Sequence, residues 1–186
     1  MKFGVGQSPR RVEDERLLTG RGRYTDDFQP EGTAYGVTVR SPYGHARILG
    51  IDTADARARP GVLAVYTAED IAHYGPIPCL VPLSGRIETH RALLTKDIVR
   101  FVGDGVAFVV AETRIAARAA AEADVVDYEE LPAAATLDAA LAPGAPAIWE
   151  SAPDNRVFDW NVGDESATRA AITGASHVTR LRIVQN

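Results

Sequence analysis

Cysteine is nearly absent from this 186-residue chain. Cys79 stands alone, which excludes an intramolecular disulfide framework and any cysteine-rich metal site built from this chain by itself. Long hydrophobic runs are missing too. None reaches membrane-spanning length, and the start, MKFGVGQSPRR, carries no apolar signal core, so a cytoplasmic location is expected. Basic charge is in short supply: 20 Lys and Arg face 25 Asp and Glu, for a formal net charge of −5. No basic stripe offsets that balance, which argues against a nucleic-acid partner. The four histidines, His45, His73, His90 and His177, lack zinc-type spacing. His73 follows Asp70 only within an ordinary short helix. No Ser/His/Asp set has a local signature, and neither a metal nor a catalytic residue is assigned.

What is present is ordinary for a globular protein, with 46% hydrophobic and 24% charged residues and length for one domain plus an extension. The most regular stretch is Val99 to Pro132. Val99 and Phe101 alternate with Arg100 as in a strand, and Gly103-Asp104-Gly105 suits a tight hairpin turn. Val106 to Ala111 is apolar throughout, as in a central strand covered on both faces. Thr113 can cap the next helix, whose expected apolar face is Ile115, Ala119, Ala123 and Val126. A short strand then runs to Leu131-Pro132. Strand, helix and strand at this length favour a right-handed crossover within one sheet.

Elsewhere, residues 1–27 are polar and rich in Gly, Arg and Asp, and Gly4 to Arg11 suggests an extended arm. Strands are expected at Ala34 to Arg40, Ala46 to Ile51 and Val62 to Tyr66, with a short helix from Asp52 and another from Thr67 to about Tyr74. Gly75 to Gly85 is a loop. Ala133 to Ala147 suggests a linker with one helical piece at Leu137 to Leu141, and Asp164 to Thr173 a helix stopped by Gly174. Val178 to Val184 suggests a strand, and a chain stopping there is expected to be a piece of a larger polypeptide.

Each chemical candidate has a structural alternative. Cys79, between prolines in a loop without a neighbouring base, is expected to be a small buried hydrophobe. His45 is expected to hydrogen-bond turn backbone. Gly103-Asp104-Gly105 precedes a strand, whereas phosphate cradles precede helices. Asp124, Asp127, Glu129 and Glu130 form an acidic cluster, expected to be solvated. Trp149, Trp160 and Phe158 are expected to anchor the extension on a hydrophobic surface.

Several motifs in order carry a resemblance: Gly6 with Arg11, Glu13-Asp14, Arg16 to Gly20 (RLLTG), Tyr24 to Asp27 (YTDD), Arg40 to Ile48 (RSPYGHARI), Pro60-Gly61-Val62, Ala64 to Thr67 (AVYT), Val102-Gly103-Asp104, Val106-Ala107, Val110 to Thr113 (VAET) and Val126 to Pro132 (VDYEELP). Together they resemble the N-terminal domain of the molybdopterin-binding large subunit of the xanthine dehydrogenase and aldehyde oxidase family, and within it the aerobic carbon monoxide dehydrogenase branch. One departure is Gly105, where the family usually has proline; both suit a turn. The resemblance implies an α+β class and an α/β-hammerhead domain with a mixed sheet, short helices and a C-terminal linker extension. It implies an arm at 1–19, the hammerhead at 20–132, and a linker with the truncated start of a molybdopterin-binding domain at 133–186. For the parent protein it implies a molybdenum-dependent oxidoreductase with a molybdopterin-type cofactor. Iron–sulfur clusters and FAD would lie on partner domains or subunits.

No catalytic or cofactor motif of that family occurs in these residues, so the chain alone is expected to be inactive and to serve as a structural, docking domain. Arg11, Arg16, His45 and Arg47 are the expected contacts to the rest of the large subunit and to iron–sulfur and FAD subunits. The alternatives are an interaction module joining a molybdoenzyme complex in trans, and a small enzyme using the acidic cluster. Whether the substrate is carbon monoxide, an aldehyde, a purine or another N-heterocycle is not encoded here.

Overall fold

The computed structural model describes Gly6, residues 10–81 and residues 83–183. Most of the expected arm, Gly4, Val5 and residues 7–9, lies outside the described residues, as does Val184. The chain divides into two units, Met1–Ala34 and Tyr35–Asn186.

The first unit contains α1 (Asp14–Leu18) and a 3-10 turn at Thr25–Asp27, neither with a buried residue. It is held by polar bonds: Arg11 Nε to Asp14 at 2.8 Å, Thr19 Oγ1 to the Glu15 carbonyl at 2.7 Å, and Tyr24 N–H to the Asp27 carboxylate at 2.9 Å. Leu18, Tyr24 and Phe28 are all exposed.

The second unit begins with β1 (Tyr35–Arg40), β2 (Ala46–Asp52), α2 (Ala54–Arg57) and β3 (Val62–Thr67). It continues with β4 (Ile98–Val99), β5 (Gly105–Ala111), α3 (Arg114–Ala121) and β6 (Val125–Glu130). The strands form two three-stranded sheets, ordered β1-β5-β3 and β4-β2-β6, with every pairing antiparallel. Consecutive strands therefore alternate between the sheets. The expected one-sheet crossover does not form, because β5 and β6 belong to different sheets.

The expected hairpin at Gly103 is also absent. β4 is only two residues long and pairs with β2, so the turn after it carries the chain from one sheet to the other. Asp104 closes that turn by accepting the Arg100 N–H at 3.1 Å. Gly103, at φ 93°, donates its N–H to the Ser41 carbonyl at 2.8 Å. That φ favours glycine.

β5 is central in its sheet, as its apolar run requires, and Val106, Ala107, Val109 and Ala111 are fully buried. Thr113 caps α3 by accepting the Ala116 N–H at 3.1 Å. The buried helix face differs from expectation. Ala117 and Ala120 are buried, while Ile115 is 82% exposed. Two residues turn a helix by about 200°, so Ile115 and Ala117 cannot share a face. Alanines let α3 lie close on the β1-β5-β3 sheet, where Ala56, Val65, Val109 and Ala120 form one core. Ala46, Val99 and Val106 form the other, and Val39 packs against both.

Three other local expectations change. The helix from Thr67 shrinks to a 3-10 turn at Ala72–Tyr74, because Asp70 accepts the Thr67 N–H at 2.7 Å and its hydroxyl at 3.1 Å, an alternative to helical bonding. Cys79 is exposed in a loop where Leu80 and Val81 are exposed as well. Residues 178–183 form no strand, since no neighbouring strand pairs with them among the described residues. α4 (Leu137–Ala140) and α5 (Glu165–Thr173) form close to their expected places, with Thr136 and Asp164 as side-chain caps.

Candidate functional site

The polar centre of the second unit lies where the sheets meet. Ser41, only 2% exposed, donates its N–H to the Asp104 carbonyl, and its Oγ accepts the Tyr43 N–H at 3.0 Å. His45 is buried, with Nδ1 2.7 Å from the Pro132 carbonyl. A carbonyl only accepts, so this contact places the proton on Nδ1. Leu131 N–H returns a bond to the His45 carbonyl at 3.0 Å. Tyr43 and Tyr128 meet with ring centroids 5.1 Å apart, and burial pushes the Tyr128 phenol above its usual range. The motif at Ser41–His45 thus stitches β2, β6 and the Gly103 turn together.

Of the four residues expected to make contacts, Arg11 and Arg16 belong to the first unit and His45 and Arg47 to the second. Arg47, exposed on β2, pairs with Glu129 at 3.2 Å. Arg11 pairs with Asp14, and Arg16 is exposed in the last turn of α1.

A cleft of about 910 Å³ opens between the 68–76 loop and the 89–104 segment, with Ile71, Leu93, Leu94, Arg100, Phe101 and Trp149 among its walls. Arg91 lies over Phe101 at 4.8 Å and Arg100 over Trp149 at 3.9 Å. Arg100 also donates to the carbonyls of Ile148 and Ile98, at 3.1 and 3.0 Å. Burial pulls its guanidinium below the usual arginine range, countered by Asp104, Glu150 and Asp97. Of the expected aromatic anchors, Trp149 is half-buried, whereas Phe158 and Trp160 are exposed.

The acidic cluster splits. Asp127, Glu129 and Glu130 are exposed. Asp124, expected to be solvated, has both carboxylate oxygens buried without a hydrogen-bond partner. Burial pushes its pKa up from 3.8 to about 6, with Arg57 opposing and Asp52 adding to the rise. Its place at the turn from α3 into β6 explains the burial, and a proline-flanked acidic run gave no signal of it.

One feature had no sequence signature. The β1-β5-β3 sheet buries Val109 and Val65 under the helices. The alternate residues face the other way: Gly36 opposite Val110 and Ala64, and Thr38 opposite Phe108 and Tyr66. Phe108 lies over Gly36, where an added Cβ would fall 2.3 Å from its Cζ. This face carries no charged residue along those two rows. Tyr66 is 41% exposed, and Leu63, the extra residue of the β3 bulge, is 57% exposed. Among the described residues no group of three His, Cys, Asp or Glu side chains could hold a metal ion. No described helix is long and apolar enough to cross a membrane.

The chain is 38% identical to the carbon monoxide dehydrogenase large chain of Afipia carboxidovorans, over 95% of this chain and 23% of that protein. It is 43% identical to the nicotine 6-hydroxylase large subunit of Paenarthrobacter nicotinovorans, over 68% of this chain and 16% of the relative. Its structure matches that of reconstituted CO dehydrogenase from Oligotropha carboxidovorans with a TM-score of 0.73 at 36% identity, covering 94% of this chain and 23% of the other. The chain thus spans less than a quarter of the length of these relatives. Residues 19–132 match the family described as aldehyde oxidase and xanthine dehydrogenase, a/b hammerhead domain, and the chain belongs to that family.

Proposed function

We propose that this chain is the N-terminal docking domain of a molybdenum hydroxylase large subunit, of the carbon monoxide dehydrogenase or xanthine/aldehyde oxidoreductase type. The observation that carries the reading is the uncharged part of the β1-β5-β3 sheet formed by the rows Gly36-Val110-Ala64 and Thr38-Phe108-Tyr66. Its exposed Leu63 and Tyr66 and half-buried Phe108 and Val110 are the composition of a buried contact rather than of a solvated surface. In the parent enzyme a molybdopterin-type cofactor would supply the redox chemistry, with iron–sulfur clusters and FAD on partner domains or subunits. The Gly103 turn feeds strand β5 instead of a helix N-terminus, so it lacks the usual form of a phosphate cradle. In this reading the chain's contribution is the placement of its neighbours. Arg11 and Arg16 in the first unit and Arg47 on β2 in the second are exposed donors of the kind found in polar contacts between subunits.

The test is co-purification of this chain with a second polypeptide carrying the remainder of a family large subunit. Leu63→Lys and Tyr66→Lys place charges on exposed positions and are expected to weaken the association more than tenfold, or by about 1.4 kcal/mol or more, while leaving circular dichroism unchanged. Arg11→Ala, Arg16→Ala and Arg47→Ala are expected to weaken it less. Wild-type association in both Lys variants would remove the sheet face from the interface.

A further inference from the structure

The cleft between the 68–76 loop and the 89–104 segment is a cationic spot on an acidic chain. Three basic side chains, Arg91, Lys96 and Arg100, stand on its walls against two acidic ones, Asp97 and Asp104, whereas the whole chain carries −5. Several of these charges are already engaged. Asp104 is buried and accepts the Arg100 N–H, and Lys96 reaches Glu69 at 3.2 Å. Arg100 lies on Trp149 and donates Nε and Nη1 to the Ile148 and Ile98 carbonyls, so it is built into the wall. Asp97 is exposed. Arg91 differs from the other cations. It is exposed, its guanidinium lies over Phe101 at 4.8 Å, and among the described residues its side chain has no ion pair and no hydrogen bond. A guanidinium resting on a ring leaves N–H donors free, in a fork that matches a carboxylate. The backbone there is fixed, because the Arg91 carbonyl accepts the Ile77 N–H at 2.7 Å. In the same cleft Leu93 is 46% exposed and Phe101 38% exposed, so apolar surface accompanies the unused fork.

We propose that this cleft binds an extended segment from the remainder of the large subunit, one that pairs an Asp or Glu side chain with Arg91 and lays a neighbouring apolar side chain against Leu93 and Phe101. The source of the segment rests on the docking reading, since this chain spans less than a quarter of the length of its relatives. The surface is a different one: no residue of the uncharged sheet rows walls the cleft. Apolar contact supplies the attraction, and the carboxylate sets the register of the segment. A segment without an acid would cover Arg91 and leave its donors without an acceptor, which costs free energy. A basic segment would meet the cationic walls and be rejected.

Peptide titration tests this. Overlapping short peptides covering the carbon monoxide dehydrogenase large chain of Afipia carboxidovorans outside its matched region are added to the whole 186-residue chain carrying Trp160→Phe. Trp149, on the cleft wall, is then the only tryptophan. At least one peptide with Asp or Glu beside an apolar residue is expected to shift its emission. The Asn or Gln counterpart of that peptide is expected to bind about tenfold more weakly. Arg91→Gln is expected to weaken the acidic peptide by the same factor and to leave the amide peptide unchanged, a coupling that a damaged cleft does not give. Three results overturn the proposal: no peptide that shifts Trp149, equal binding of acidic and amide peptides, or a cleft filled by a second copy, seen in sedimentation as a dimer that Arg91→Gln dissolves. The co-purification of Leu63→Lys and Tyr66→Lys reports on the sheet face alone. Silent peptides with a sensitive sheet face therefore sink only the cleft, and peptide binding with an insensitive sheet face sinks only the docking reading.

Discussion

Asn155 is the most demanding single residue of the segment after β6. It is the one described non-glycine residue at positive φ, 57°. Its Oδ1 accepts the Ile148 N–H at 2.9 Å, and its Nδ2 donates to the carbonyls of Ala140 and Pro146, each at 2.9 Å. It therefore pins the loop after α4 and holds the backbone that carries Trp149 under Arg100. Truncation to Ala removes three part-buried bonds, each worth about 0.5–1.5 kcal/mol net, and adds about 1 kcal/mol for a left-handed Ala. Asn155→Ala is expected to cost roughly 4 kcal/mol, lowering the melting temperature by about 8–16 °C for a chain of this size. Asn155→Gly accepts the φ and is expected to recover about 1 kcal/mol of that loss. Asn155→Asp keeps the acceptor for Ile148 but sets a carboxylate oxygen against two carbonyls, so it is expected to do no better than Ala. Urea unfolding followed by Trp149 fluorescence, with Trp160→Phe as the common background, ranks the three. Variants that all unfold with the parent, within about 0.5 kcal/mol, would refute the idea that residues 137–156 are clasped to the body.

Other predictions address single elements. Asp124 binds its proton more tightly in the folded state than in the unfolded one. Its ionisation therefore removes stability as pH rises from about 3.8 to about 6. The displacement sets a ceiling of about 3 kcal/mol, and partial exposure of the residue reduces it to roughly 1–2 kcal/mol. Asp124→Asn is expected to abolish that slope in pH-dependent urea titrations, and a parallel curve for the two proteins counts against it. Thr113→Ala removes the α3 cap and is expected to cost about 1 kcal/mol, whereas Thr113→Asn is expected to retain most of the stability in thermal melts. Ile115→Gln is expected to change stability by less than about 0.5 kcal/mol, and Ala120→Leu to cost about 1–3 kcal/mol by overpacking. The reverse order would restore the helix face expected from the sequence.

The strands were legible because each rule involved is local. Val106 to Ala111 carries no polar residue and proves central; Thr113 offers a cap and caps. What failed depended on distant partners. Ile115 has the chemistry of a core residue, but the sheet under α3 admits only the small side chains of Ala117 and Ala120. Gly103 signals a turn in either case, and only the pairing of β4 with β2 decides which sheet it leads into. His45 does bond backbone, as expected, but the carbonyl it meets belongs to Pro132, far along the chain and not in its own turn. The bare sheet face was invisible because Gly36, Phe108 and Tyr66 are far apart in sequence and none is unusual alone. Asp124 was misjudged because charge in a sequence says nothing of what later packs over it.

Strict alternation of strands between two sheets has a consequence for synthesis. The strand that both neighbours need in the first sheet is β5, the last of its three to be made. In the second sheet β2 is made early, but its long partner β6 ends at Glu130. A nascent chain therefore carries β1 and β3 with no template between them until residue 111 has left the ribosome, and no N-terminal piece shorter than that can close either sheet. Synthesis of most of the domain must therefore precede completion of either sheet, and until then β1 and β3 emerge with unpaired edges.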